Sequence, residues 1–273
     1  MGACKQSGCR LAPLTHADYC WAHLPDRETF RRDLESRVSK GSLRRSHLAH
    51  ADLHSLDLSA ADLAGANLRG ANLEGTVLKG ANLEQANLIG CRLDRACLDQ
   101  SNFRNADFSG ASLAGVAAAD ACFDGARLSS VHAPKAGFEN SSFVLAFLDF
   151  SVLSDSVLKG TVLDFAVLGG SDLTGSGFEG ASLRIANLVG VRGRGARFDR
   201  ADLYYARPAK ALLAGARFTG ASLHRTVFRA SDLTGAVFSS ADVTGAIFER
   251  ARLVDVEWSG IDPSGCNLNG AER

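Results

Sequence analysis

From residue 41 onward, a large apolar residue recurs at every fifth position of the chain. If the chain is divided into five-residue units beginning with 41–45, the third position holds Leu in 28 and Phe in 11 of 46 units. The first position is small in 44 units, and Leu56 and Ile261 are the exceptions. The other positions are mostly polar residues or Gly, as in ANLRG at 66–70. Because one register persists over all 46 units, we expect one repeated structure from 41 to 270.

A five-residue period fits neither an α-helix nor an extended strand, whose side-chain periods are about 3.6 and 2. It fits a chain that turns a corner once per unit and points the first and third side chains inward. Gly at the fifth position, as at Gly65 and Gly70, eases the backbone angles of the corner. One unit cannot bury its own apolar face, so we expect the units to stack into a solenoid.

The repeated unit resembles the A(D/N)LXX signature of the pentapeptide-repeat family, and the resemblance covers residues 41–270. The family implies an all-β fold, a right-handed four-sided parallel β-helix with four units per coil. The 46 units then imply about eleven and a half coils of 20 residues, followed by a tail at 271–273. At the spacing of hydrogen-bonded strands the rod is roughly 55 Å long. Four units place too little side chain on the axis and predict thin coils: those of Ala118, Ala133, Gly193 and Pro208.

Residues 1–24 lie outside the repeat and contain the pattern Cys4-x4-Cys9-x10-Cys20-x2-His23. Three thiolates and a neutral imidazole form a known structural zinc set. So short a segment needs such a cross-link, because it cannot build a hydrophobic core alone. We therefore predict a structural zinc site at Cys4, Cys9, Cys20 and His23, with His16 as the substitute ligand. The alternative is three unrelated cysteines and a surface histidine.

Residues 25–40 predict a capping α-helix. Pro25 suits the first turn of a helix, and Phe30, Leu34 and Val38 form one apolar stripe with a four-residue spacing. We expect this stripe to cover the open end of the first coil, because a bare coil end exposes unpaired backbone groups. The core of the repeat is expected to be separate from the zinc segment.

Catalytic motifs are missing from the sequence: it has no nucleophile elbow, P-loop, dinucleotide-binding glycine motif or HExxH. The acidic residues are spread along a solvated rod with no cleft to shift their pKa values, so we do not expect an enzyme. The chain also has no apolar run of about 18 residues and no apolar signal region near its start. These features predict a cytoplasmic protein with reduced thiols.

Folding the repeat at 20 residues per coil aligns a column of apolar residues on the outside. Leu145, Phe165, Ile185 and Tyr205 hold the same outward position in four successive coils. Three further aromatic residues lie beside this column: Phe147, Phe150 and Tyr204. Exposed contiguous apolar patches often mark interfaces, so we predict a protein interface here, with a homodimer as one use of it. The alternative is a side-chain ladder that only stiffens neighbouring coils.

Charge is also segregated along the chain, although 30 basic and 30 acidic residues give a formal net charge of zero. Residues 51–183 carry a net charge of −8, residues 184–229 a net charge of +8, and residues 230–273 a net charge of −4. The basic belt consists of Arg184, Arg192, Arg194, Arg197, Arg200, Arg207, Lys210, Arg217, Arg225 and Arg229. It predicts either charge balance between regions or a site for an acidic partner or a phosphate backbone.

Taken as a whole, these features favour a non-enzymatic protein-interaction module. The best-studied members of the family that the repeat resembles are quinolone-resistance proteins, which bind type II topoisomerases and imitate duplex DNA. The resemblance therefore implies DNA gyrase or topoisomerase IV as the best candidate partner and antibiotic resistance as a candidate role. The interrupted acidity of the rod argues against close DNA mimicry. The alternatives are a structural scaffold or self-associating rod and, more weakly, nucleic-acid binding through the belt.

Overall fold

A computed structural model describes residues 4–15, 17–38 and 43–273. Its helices are a short 3-10 turn at Trp21–His23, the α-helix α1 at Arg27–Val38 and a second 3-10 turn at Pro263–Gly265. None of the helices in these ranges has the length and apolar character needed to cross a lipid bilayer. From residue 43 onward the chain forms isolated parallel β-bridges, each joining a second-position residue to the one 20 residues later. Four units therefore make one coil, and the stacked coils form a rod.

Most corners of the rod are hydrogen-bonded β-turns. The N–H of Ala71 donates to the carbonyl of Leu68 at 2.8 Å, and the same bond recurs along the rod. The fifth residue of every unit except that of Gly265 has a positive φ between 53° and 78°, as a type II turn requires at its third residue. We expected glycine there, yet 25 of these residues are not glycine. Bonds to the next coil, such as Gly70 N–H to the Ile89 carbonyl at 2.9 Å, hold the corners in place.

The Asp and Asn residues at the second position complete these turns. Their side chains accept the N–H of the fourth residue, as Asn72 does from Glu74 at 3.3 Å and Asp172 from Thr174 at 3.0 Å. Within the described rod this N–H has no backbone partner in the next coil. A side-chain oxygen two residues earlier therefore satisfies it, which explains the preference for Asp and Asn.

The third-position side chains stack on the axis of the rod. The rings of Phe178, Phe198, Phe218 and Phe238 lie 4.9, 5.1 and 5.0 Å apart in sequence, close to the spacing of hydrogen-bonded strands. The thin coil predicted at Gly193 is filled, because a Cβ there would lie 2.9 Å from Cδ2 of Leu213. The axis is thus packed even where its own residue is smallest.

The N-terminal segment closes one end of this core. Phe30 and Leu34 of α1 are buried in the same apolar cluster as Leu43, and Val38 packs against it. Arg31 donates to two carbonyls of the first coil, that of Asp52 at 3.0 Å and that of His54 at 2.7 Å. Leu14 of the zinc segment is buried in the same cluster, so the expected separation between the zinc segment and the core of the repeat is not observed. The first coil has no preceding coil, so its apolar end and its open carbonyls take their partners from this segment.

Candidate functional site

The N-terminal segment brings three thiols and one imidazole together. One ligand atom from each of Cys4, Cys9, Cys20 and His23 lies within 4.8 Å of all the others. Nδ1 of His23 is 3.6 Å from Sγ of Cys4 and 3.3 Å from Sγ of Cys20. The sulfurs of Cys9 and Cys20 are 3.7 Å apart, well beyond the roughly 2.05 Å of a disulfide. These four residues lie close enough to hold one metal ion.

Short-range backbone structure positions each of the four ligands. Cys20 precedes the 3-10 turn and His23 ends it, so the x2 spacing places both side chains on one side of a single turn. Cys9 follows a tight turn in which its N–H donates to the Gln6 carbonyl at 3.1 Å, and Gly8 supplies the positive φ of 75°. The N–H of Cys20 also points at Sγ of Cys4, at 3.4 Å. The predicted substitute His16 lies outside the described residues.

Three of the six spacings between the ligand atoms are close to those of a tetrahedral metal site, for which zinc supplies reference values. Zn–S bonds of about 2.3 Å and Zn–N bonds of about 2.05 Å at tetrahedral angles separate two sulfurs by about 3.8 Å and a sulfur from a nitrogen by about 3.6 Å. The sulfur–sulfur and sulfur–nitrogen distances of 3.7, 3.6 and 3.3 Å fall close to these values. Cys4 and Cys20 are buried, Cys9 is half-buried and His23 is exposed. Four protein ligands leave no position for a substrate, so the site is suited to a structural ion.

The electrostatics of the cluster prepare one thiolate. Burial alone raises the pKa of Cys4, but hydrogen bonds from the backbone of Cys20 and Gln6 and from the side chains of His23 and Cys20 outweigh it and lower the pKa to about 6. At Cys9 a backbone hydrogen bond at Leu11 lowers the pKa, while burial and the neighbouring thiols prevail and raise it. Metal ions bind the thiolate form. Cys4 is therefore mainly a thiolate at neutral pH, and a bound cation would displace the protons of the remaining thiols, while His23 would bind through a neutral ring nitrogen.

The outward column lies at one corner of the rod. Leu145, Phe165, Ile185 and Tyr205 are 59%, 49%, 46% and 36% exposed. All four are fifth-position residues, with φ between 54° and 61°. Tyr204 differs from them, because it is half-buried between the guanidinium of Arg184, 4.6 Å above its ring, and the stacked ring of His224.

The column and the aromatic residues beside it are parts of one wider apolar face. Units 146–150, 166–170, 186–190 and 206–210 stack on one side of the rod, because β-bridges join Phe147 to Val167, Val167 to Asn187 and Asn187 to Arg207. We define the apolar face as these four units with the column Leu145, Phe165, Ile185 and Tyr205 along one edge. Phe147 is 46% and Phe150 70% exposed on it. In the sequence, the signal for this face is the set of outward residues in these four units, which form an apolar patch only when the four units are aligned with one another.

The basic belt is partly neutralised by ion pairs between neighbouring coils. Five of its members are paired with a carboxylate: Arg184 with Asp202, Arg192 with Asp172, Arg197 with Glu179, Arg217 with Asp199 and Arg229 with Glu249. Arg225 bonds to the hydroxyl of Tyr205. Among the residues from 43 onward, Arg194, Arg200, Arg207 and Lys210 make no ion pair. The belt is therefore less available to an external phosphate backbone than its net charge indicates.

Burial raises the pKa of two of the remaining cysteines, Cys91 and Cys266, above the ordinary value of a thiol. The pKa of Cys91 rises to about 12, and its thiol donates to the Leu68 carbonyl at 2.8 Å. Sγ of Cys122 accepts a hydrogen bond from Nε of Arg104 at 3.2 Å. These thiols replace the small residues of the repeat or lie among surface charges.

The chain is a solenoid of stacked 20-residue coils, and the N-terminal segment caps the first coil. This architecture defines a repeat protein of the β-helical class. The family model for pentapeptide repeats matches the chain in eight copies, at residues 57–95, 66–105, 91–129, 151–188, 178–207 and 211–250, which together cover more than half of it. The chain belongs to the pentapeptide repeat family. No curated protein is significantly similar to it.

Several solved structures of pentapeptide repeat proteins are also similar. HetL, involved in regulation of heterocyst differentiation in the cyanobacterium Nostoc sp. strain PCC 7120, is 28% identical over 82% of this chain and 97% of its own, with a TM-score of 0.31. Trypsin-treated QnrB1, a plasmid-mediated fluoroquinolone resistance protein, is 24% identical over 68% of this chain and 88% of its own, with a TM-score of 0.40. A protein of the Arabidopsis thaliana thylakoid lumen is 31% identical over 34% of this chain and 68% of its own, with a TM-score of 0.29. Family membership rests on the repeat itself.

Proposed function

We propose that this protein is a non-enzymatic protein-interaction module built on a right-handed, four-sided β-helix. The observation that carries the proposal is the apolar face, which stays exposed on a rod whose other apolar side chains are largely buried. Pentapeptide repeat proteins are generally structural or interaction proteins. A rod of this kind presents a long, stiff surface on which residues far apart in the sequence are held at fixed spacing.

The protonation behaviour of the acidic residues supports a role without acid–base catalysis. Seven carboxyl groups have a shifted pKa, and each is lowered: Asp26, Asp52, Asp57, Asp232, Asp242, Glu257 and Asp262. At Asp57, Asp232 and Asp242 the first cause is a hydrogen bond from the Ser or Thr two residues later. A general acid needs a raised pKa, whereas these groups are ionised turn caps.

The second element of the proposal is zinc as the ion of the cysteine–histidine cluster. The donor set of three thiols and one imidazole is typical of structural zinc, and three of the ligand spacings are close to tetrahedral values. Zinc would cross-link Cys4 and Cys9 to the turn that carries Cys20 and His23. Trp21 of that turn packs edge-on against Phe30 of α1, with ring centroids 6.3 Å apart, so the cross-link supports the helix that covers the first coil.

Type II topoisomerase, with DNA gyrase as the leading example, is the partner that the family resemblance favours. The test is gyrase supercoiling of relaxed plasmid with increasing amounts of the protein, with and without a fluoroquinolone. We expect either protection of supercoiling from the drug or inhibition without it. A variant carrying Phe165→Arg and Ile185→Glu is the matched control, because it changes the apolar face and leaves the core intact. Unchanged supercoiling in both conditions would remove topoisomerase as the partner.

The second candidate function is a scaffold or self-associating rod with no topoisomerase role. The same apolar face favours it, because a second copy of the rod is a suitable occupant. Nucleic-acid binding is the weakest candidate, since the belt already pairs five of its arginines with carboxylates. If the protein has no effect on gyrase supercoiling but associates with itself in a concentration-dependent way, it belongs to the scaffold class.

A further inference from the structure

The side chains at the corners of the rod are not distributed at random around it. Only five of the corner residues with positive φ are large and apolar: Leu145, Phe150, Phe165, Ile185 and Tyr205. All five lie on the two corners that border the apolar face. Positive φ disfavours residues with a side chain, and a β-branched residue most of all, yet Ile185 has a φ of 59°. Residues that are costly at positive φ are therefore placed at the edges of this one face, where all five side chains are exposed.

Charge on the apolar face is arranged at its two ends. The coil that contains Phe147 carries Asp149, and the coil three further along carries Arg207 and Lys210. Within the chain these opposite charges are about 15 Å apart at strand spacing, too far to pair directly. Neither Arg207 nor Lys210 has an ion pair in the region from residue 43 onward. Between the two ends the exposed positions are almost all apolar or Gly, with Asn187 as the exception.

We propose that the apolar face binds a second copy of the chain, with the two rods antiparallel and related by a two-fold axis across the face between the coils of Phe165 and Ile185. Such an axis reverses the direction of one rod, and each column of residues then faces the same column of the second copy. Phe165 then meets Ile185 of the second copy, and Leu145 meets Tyr205 of the second copy. Every contact of this kind occurs twice, as closed two-fold symmetry requires.

The same axis pairs the charged ends of the face. Asp149 of each rod meets Arg207 and Lys210 of the other, and Phe147 and Phe150 lie against these cations, a favourable placement for cation–π contact. A parallel arrangement instead places Arg207 and Lys210 of one copy opposite Arg207 and Lys210 of the other, and these like charges repel each other. Charge complementarity therefore selects the antiparallel pair.

The contact area predicts the strength of the association. Four coils of one side form a patch about 15 to 20 Å long at strand spacing, which is at the small end of specific interfaces. We expect a dissociation constant on the order of micromolar, because the apolar contacts are exposed and pre-formed on a stiff rod. This inference rests on the proposed interaction function, and it is tested on the purified protein alone, so that its failure and that of topoisomerase binding are distinguishable.

The first test is sedimentation of the full chain over a range from about 1 to 200 micromolar, which brackets the expected constant. We expect a reversible monomer–dimer equilibrium. Phe165→Arg with Ile185→Glu should weaken dimerisation at least about thirtyfold, as expected for central interface residues. Val157→Arg, on the opposite side of the rod, is the matched control and should dimerise normally. Circular dichroism of all variants checks that the rod is folded. A wild type that stays monomeric throughout overturns the proposal.

The second test distinguishes the antiparallel pair from other dimers by charge reversal. Asp149→Arg alone, and Arg207→Asp with Lys210→Asp, should each weaken dimerisation about tenfold. The chain with all three substitutions should regain most of the wild-type affinity, because the reversed charges meet again only between antiparallel copies. No recovery in the triple variant, or an unchanged dissociation constant in the two charge-reversed variants, would overturn the antiparallel arrangement.

Discussion

In residues 4–38, only five cysteine or apolar side chains are buried, whereas the rod buries the first and third side chains of nearly every unit. The rod gains its core from repetition, because each coil contacts only its neighbours and adds the same contacts again. The N-terminal segment has no repeat to rely on, and its order depends on four ligands around one point and on packing against the first coil. The contrast teaches that repetition spreads the stability of the rod over many equivalent contacts, whereas the N-terminal segment depends on one site.

The largest expected effect comes from placing a charge on the axis of the rod. Leu68 is fully buried, so Leu68→Asp leaves an unpaired buried carboxylate and should cost more than about 4 kcal/mol and unfold several coils. Asn67→Asp, one residue earlier and partly exposed, retains the oxygen that accepts the N–H of Arg69 and should be nearly silent. Thermal unfolding followed by circular dichroism compares the two. Equal shifts would show that the inward and outward positions are wrongly assigned.

The second effect concerns the N-terminal segment. Protein purified without chelator should contain about one zinc per chain, and Cys20→Ser should release it, because structural zinc binding is coupled to folding. Cys97→Ser, in the rod, is the control and should keep the metal. Because this segment shares its core with the first coils, we expect loss of zinc to increase proteolysis near both, while the central coils stay folded. Metal analysis that finds no zinc in the wild type contradicts the site.

A smaller effect is expected at a turn cap of the rod. The side-chain hydroxyl and then the N–H of Thr234, with the charge of Arg252, lower the pKa of Asp232. The carboxylate therefore stabilises the fold above its ordinary pKa of about 4, and this stabilisation is lost as the pH falls through the lower folded value. Asp232→Ala should cost about 1 kcal/mol at neutral pH. Asp232→Asn keeps an acceptor, as Asn72 does, and should remove only the contribution of Asp232 to the acid dependence. Urea unfolding at pH 7 and pH 3 measures both effects.

The smallest effect separates corner positions from their neighbours. Ala60 occupies a corner with a φ of 56°, so Ala60→Gly should stabilise the rod by up to about 1 kcal/mol. Ala119 is a fourth-position residue without positive φ, and Ala119→Gly should destabilise it by about 0.5 to 1 kcal/mol. Differential scanning calorimetry should therefore give melting shifts of opposite sign. Shifts of the same sign would mean that the corner geometry is not left-handed in solution.

Much of the molecule could be predicted from single columns of the sequence. The fold followed from the first and third positions of the unit, since only stacked coils bury both. The four metal-site residues followed from ligand type and spacing, and the structure brings them together. Glycine was expected at the corners, yet residues such as Ile185 adopt the same backbone angles. Hydrogen bonds to the neighbouring coil stabilise those corners, and such bonds are not visible in one unit.

The sequence alone determined the repeat, its register and the identity of the inward side chains, because these depend on a local period that every unit repeats. Only the tertiary structure decided which outward positions form one exposed face and which charges are already paired. It joined Phe147 and Val167 to the corner column as one face, it paired half of the basic belt with carboxylates, and it merged the N-terminal segment with the core of the rod. These relations connect residues about 20 positions apart or on different segments, and their contacts are fixed by stacking and capping rather than by the unit.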